Sequence, residues 1–165
     1  MIVSITRVRD DLTPSLKNLE RGLIGNGNRA LLRTATQEFW NITRESFGAN
    51  KPNRPDIWPG LAASTIKRYK NKYYGGNLTV PTLLRSGLLL NSIRMEVNAS
   101  YGRVWQDDTQ CVYGVIHQFG DISKGIPARP YFPIVGDDHL TTYAFNRINQ
   151  ALEMKLREMI RSGIS

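Results

Sequence analysis

Cysteine occurs once in this chain, at Cys111. A single thiol allows no internal disulfide and supplies neither a zinc cage nor a CxxC redox pair, so a reducing compartment suits it, as does one whose redox state does not matter. Long apolar runs are absent as well. None approaches the ~20 residues a membrane span needs, and the opening MIVSITRVRDD lacks the apolar centre of a signal peptide. The expected product is therefore an intracellular one with no membrane partner. Histidine is scarce: His117 and His139 lie in different stretches, and neither has a carboxylate or cysteine at ligand spacing, so no metal site is expected. GxSxG, P-loop and dinucleotide signatures are missing too. Aspartates are the remaining chemistry-bearing residues of the second half, at Asp107, Asp108, Asp121, Asp137 and Asp138. A folded cluster of them would bind Mg²⁺, but such pairs serve far more often as turn and cap residues. The expectation is a protein without a catalytic site and without a cofactor.

What the chain does have is basic charge, unevenly placed. Of 22 Lys+Arg and 14 Asp+Glu, residues Met1 to Leu90 hold 14 against 6, and Asn91 to Ser165 hold 8 against 8. The whole excess of +8 sits in the first half. A basic half-chain fits a polyanionic neighbour, either nucleic acid or the acidic face of a partner, with an unliganded solvated surface as the plain alternative. The densest patch is Lys67, Arg68, Lys70 and Lys72, interleaved with Tyr69, Tyr73 and Tyr74. Basic plus aromatic is the composition of nucleic-acid contact surfaces, yet no helix-turn-helix, RNP or finger signature accompanies it.

At 165 residues and 41% hydrophobic the chain suits one domain, residues 1–165, with an adequate core. Thr13-Pro14 reads as a cap followed by a first helical position, and the leucines after it predict a helix over Thr13 to Ile24. Gly25-Asn26-Gly27-Asn28 breaks it. From Arg29, the spacing of Leu31, Ala35, Phe39 and Ile42 predicts a second helix to about Phe47-Gly48, completing a helical N-terminal part over 1–47. Ala49 to Gly60 is a loop anchored by Trp58. Ala62 to Tyr74 is a short helix with Ile66 and Tyr69 inward. Thr82 caps another, from Leu83 to about Asn91, with Leu84, Leu88 and Leu89 buried and Gly87 inside it for close packing. From Ser92 the period becomes two. Ile93, Met95 and Val97 form a strand, Asn98 to Gly102 a turn and Arg103 to Gln106 the answering strand. A third strand is expected at Gln110 to Val112 and an edge strand at Tyr131 to Val135. Val115-Ile116-His117 is a turn of helix. Asp137-Asp138 caps a last helix reaching about Arg161. The fold class is α+β: N-terminal helices, a small antiparallel sheet of about three or four strands, and a long C-terminal helix.

Tyr113 to Pro133, YGVIHQFGDISKGIPARPYFP, concentrates aromatics, Gly114 and Gly120, His117 and three prolines in one stretch. Pro127, Pro130 and Pro133 hold their own φ and push Ile126, Arg129 and Phe132 into extended backbone, so the segment is expected to be ordered and stiff. His117, beside Gln118 and Tyr113, is expected to bond backbone in a tight turn.

Four separated pieces resemble the virion morphogenesis and tail completion family of Mu-like long-tailed bacteriophages. They are Trp58-Pro59-Gly60-Leu61 with Thr65; Leu84-Arg85-Ser86-Gly87-Leu88 with Ser92-Ile93; Tyr113 with Ile116-His117-Gln118-Phe119-Gly120; and Ile126-Pro127-Ala128-Arg129-Pro130-Tyr131-Phe132-Pro133. In this order, and followed by a C-terminal helix, they give a resemblance that covers residues 48–165; the Tyr-rich stretch Lys70 to Asn77 departs from the pattern. The resemblance implies a structural protein of the head–tail neck, located in the virion and in host cytoplasm before assembly. It would form a ring, commonly a hexamer, at the top of the tail. The neighbours it implies are an adjoining neck or connector protein and a tail terminator or tail tube protein. A stiff loop suits a subunit contact because little entropy is lost on docking. Phe119, Ile126, Arg129, Tyr131 and Phe132 are thus the candidate interface residues, with Arg129 bonding a neighbour's carboxylate. The same residues sealing the subunit's own core is the competing expectation. Lys67, Arg68, Lys70 and Lys72 would face packaged double-stranded DNA or an acidic adjoining ring. The alternatives are a small DNA-binding or DNA-processing protein using that patch and, within the virion, a tail terminator.

Overall fold

Leu31, Ala35, Phe39 and Ile42 recur at helical spacing, and all four are buried along one side of α1 (Asn26–Glu45). The computed structural model describes residues 26–47, 53–73, 83–84, 86–136 and 139–161; the helix expected over Thr13 to Ile24 lies outside them. α1 starts three residues before Arg29, taking Asn26, Gly27 and Asn28 into its first turn. First-turn amides need no intrahelical partner, so weak helix formers cost little there. At its other end Asn53, fully buried, donates Nδ2 to the Ile42 carbonyl at 2.6 Å and to Ser46 Oγ at 2.9 Å. That closes the helix with a side chain from the following loop.

One side of α1 carries a hairpin. β1 (Ile93–Val97) and β2 (Gly102–Gln106) pair antiparallel, Ile93 opposite Gln106 and Val97 opposite Gly102. Asn98 turns the chain by accepting the Ser100 and Tyr101 amides on Oδ1. Trp40 Nε1 donates to the Ile93 carbonyl, and Arg44 donates to the Leu90 carbonyl, which docks the hairpin on the helix. A second partner of α1 is α5 (Thr142–Arg161), which buries Ala144, Ile148, Leu152 and Met159. Arg147 pairs with both Glu38 and Glu45, so the start of α5 lies beside the C-terminal half of α1. The fold is α+β with a long C-terminal helix.

Among the described residues four strands form, but as two separate two-stranded ladders in place of one small sheet. β3 (Ile134–Val135) pairs with β4 (His139–Leu140). The strand expected at Gln110 to Val112 is a turn, because the Gln110 and Cys111 amides bond back to the Asp107 carbonyl. The edge strand begins only at Ile134, since the Tyr131 and Phe132 amides are taken by the Gln118 side chain. The helix expected from Leu83 shrinks to α3 (Leu88–Asn91). Leu83 and Gly87 have φ of +64° and +71°, which no right-handed helix accommodates. Gly87 therefore precedes the helix and serves backbone shape, not close packing, and Leu88 points to solvent. Thr141 caps α5, its Oγ1 accepting the Ala144 amide. The expected cap, Asp137-Asp138, lies outside the described residues. α2 (Ala63–Tyr73) follows the expected span, with Ile66 half-buried.

Candidate functional site

The segment from Tyr113 to Pro133 goes out and comes back, and its two arms are bonded to each other. The outgoing arm is α4 (Gly114–Phe119). Gly120 ends it at φ +78° and ψ 175°, a conformation that is essentially restricted to glycine. A Cβ there would lie 2.8 Å from the Ala128 nitrogen, so the arms touch backbone to backbone. At the tip, Asp121 and Ile126 exchange both backbone hydrogen bonds, at 2.8 and 2.9 Å, around a 3₁₀ turn over Ile122–Lys124. Asp121 accepts from Ser123 Oγ and from Lys124 Nζ, and these two donors hold its carboxyl down to about 2.

The returning arm is held by groups that stand far away in sequence. The Arg129 amide donates to the His117 carbonyl at 2.7 Å. Its guanidinium donates to the carbonyls of Pro59 and Gly60, at 3.0 and 2.9 Å. Trp58 Nε1 donates to the Pro130 carbonyl at 2.8 Å, with Arg54 stacked on the indole face. Buried Gln118 accepts the Tyr131 and Phe132 amides on Oε1. The two aromatic rings then enter the core, Tyr131 against Phe47 at 5.5 Å and Phe132 stacked on Phe39 at 6.2 Å.

The five interface candidates therefore separate. Arg129, Tyr131 and Phe132 are 6%, 0% and 1% exposed, and they close the chain's own core and loops. The Arg129 guanidinium, expected to bond a neighbour's carboxylate, donates to two carbonyls of its own chain. Ile126 is half-buried, and Phe119 is 61% exposed. Ile122, fully exposed on the braced tip, and Val112, also exposed, were not among the candidates. A single isoleucine between Asp121 and Ser123-Lys124-Gly125, where a turn has no use for an apolar side chain, was the available signal. Gln118 left no such mark, because its role exists only through the two amides it meets. On α2, Lys67 and Arg68 are exposed, and the side chains of Lys70 and Lys72 lie outside the described residues.

The electrostatics of the junction follow from burial. Desolvation, and then the Arg129 charge, push the His117 imidazole below its ordinary value. Burial also lowers Arg129 and, with a smaller contribution from Cys111, raises the Tyr131 phenol. His117 Nδ1 and the Tyr131 hydroxyl are buried and make no hydrogen bond among the described residues. His117 enters the turn through its main chain, the amide donating to the Tyr113 carbonyl and the carbonyl accepting the Arg129 amide. Among the described residues no three His, Cys, Asp or Glu side chains gather as metal ligands, and no helix is long and apolar enough to cross a membrane. Comparisons with protein families, with curated proteins and with solved structures found no match to this chain.

Proposed function

We propose that this chain is a structural subunit of a phage head–tail neck, which self-associates into a ring at the top of the tail and makes the tail competent to join the head. One observation carries this reading. Three of the four pieces that resemble the tail completion family, Trp58-Pro59-Gly60, His117-Gln118 and Arg129-Pro130-Tyr131-Phe132, are joined by direct hydrogen bonds in one junction. The characteristic residues thus build a rigid scaffold, and what the scaffold presents outward is Phe119 and Ile122. Exposed apolar side chains on a braced support are suited to protein contact, since docking immobilises little that is not already fixed. A closed ring also requires two different surfaces on each subunit, and the tip supplies one.

Light scattering on the purified full chain across a range of concentrations tests the reading. A ring or a concentration-dependent oligomer is expected, with Ile122→Asp shifting it to monomer at unchanged thermal stability. A chain that stays monomeric at every concentration, together with intact particles from phage lacking it, overturns the proposal. Electron microscopy of such particles is expected to show separate full heads and tails. A tail terminator would be distinguished by its position in the particle.

A second reading, contact with nucleic acid, is favoured by the exposure of Lys67 and Arg68 on α2. Retention on duplex DNA at two salt concentrations tests it, and no binding at low salt removes it.

A further inference from the structure

We propose that His117 and Arg129 form an acid-sensitive latch that holds the Tyr113–Pro133 segment against the loop at Trp58-Pro59-Gly60. The geometry puts His117 at the joint between them. Its carbonyl accepts the Arg129 amide at 2.7 Å, and the Arg129 guanidinium in turn holds the Pro59 and Gly60 carbonyls. The imidazole lies edge-on to Tyr113, ring centroids 5.5 Å apart, with Nδ1 buried and without a hydrogen-bond partner among the described residues. Among the described residues, the Arg129 charge, from the returning arm, acts on the ring, and the Tyr113 ring, from the turn before α4, meets it edge-on. Asp121, the one carboxylate within the segment, is occupied by Ser123 and Lys124.

A neutral imidazole is compatible with these surroundings. A second ring proton puts a cation into a partly desolvated place beside another cation, and both effects oppose it. Parting His117 from Arg129 relieves the conflict. Because the same arginine holds the 58–60 loop, both loops loosen together. The direction of the pH dependence follows from the lowered proton affinity of the folded state. Below the ordinary imidazole value of about 6.5 the open form binds more protons. The latch is therefore fully closed above that value and weakens as pH falls through and below it. None of this depends on the assembly reading.

Hydrogen exchange on the full chain at about pH 7.5 and about pH 5, each amide corrected for its intrinsic rate, tests the latch. At the lower pH the Arg129 amide and the 58–60 segment are expected to exchange at least about threefold faster, while the centre of α5 is unchanged. His117→Gln, which keeps a polar side chain but cannot take the proton, should remove the response, and His139→Gln should retain it. An acid response that survives His117→Gln, or no response in the wild type, overturns the latch. Should His117→Gln fail to fold, the His117 ring resonances of the wild type decide instead. A titration midpoint at or above the ordinary imidazole value refutes the proposal, and one below it supports it.

Discussion

Replacing Gln118 by methionine keeps the length and nearly the volume of the side chain but removes its acceptor. In the wild type, Gln118 Oε1 receives the Tyr131 amide at 3.0 Å and the Phe132 amide at 3.2 Å, all within the interior. Methionine leaves both amides buried without a partner, since the thioether is a poor acceptor. An orphaned buried donor costs ~1–3 kcal/mol, and two on one acceptor should cost about 2–4 kcal/mol together. Packing adds little, because an unbranched side chain of similar size is retained. For a chain of this length a loss near 3 kcal/mol lowers the melting temperature by about 6–12 °C. Urea unfolding followed by far-ultraviolet circular dichroism measures the loss as a shift in midpoint at constant slope. Gln118→Glu provides the contrast, keeping an acceptor for both amides at the expense of burying a charge. A methionine variant within about 0.5 kcal/mol of wild type would show that the two amides find other partners. The picture of α4 as the element that stitches the returning arm would then be wrong.

Two further perturbations test other parts of the architecture. Gly120→Ala meets both a glycine-only backbone conformation and the Ala128 nitrogen, so it should cost about 2–3 kcal/mol. Gly125→Ala, at φ +62° with open space around it, should cost only about 1 kcal/mol; equal losses in thermal melts would refute the close approach of the two arms. Arg147→Ala removes the pairs to Glu38 and Glu45 that tie α5 to α1. These groups are partly exposed, so about 1 kcal/mol or less is expected, shrinking as salt is added, and a loss insensitive to salt would assign the effect to packing.

The elements most legible in the sequence are those whose pattern is local. The 3.6-residue period of Leu31, Ala35, Phe39 and Ile42 and the alternation of Ile93, Met95 and Val97 each mark a buried face, and the structure buries or half-buries those residues. The anchoring of Trp58 was legible too, because a large apolar side chain in a proline-rich loop has to be tucked away. Misplaced features depended on where a backbone amide finds its acceptor. Gln110 to Val112 has strand-compatible residues, yet its amides close a turn on Asp107. Gly87 looks like a packing glycine, and only its positive φ shows that it shapes the backbone before α3.

The Tyr113–Pro133 stretch shows the same division. Composition alone required it to be ordered, because prolines restrict backbone angles wherever the chain goes. Which of its residues face inward was decided elsewhere, by the Pro59 and Gly60 carbonyls, by Phe39 and Phe47, and by the Gln118 side chain. An arginine and two aromatic rings read equally well as contact surface or as core until those partners are in place. Local restriction of dihedral angles is written in consecutive residues, whereas burial arises from groups some 70 positions apart, and only the folded chain brings them together.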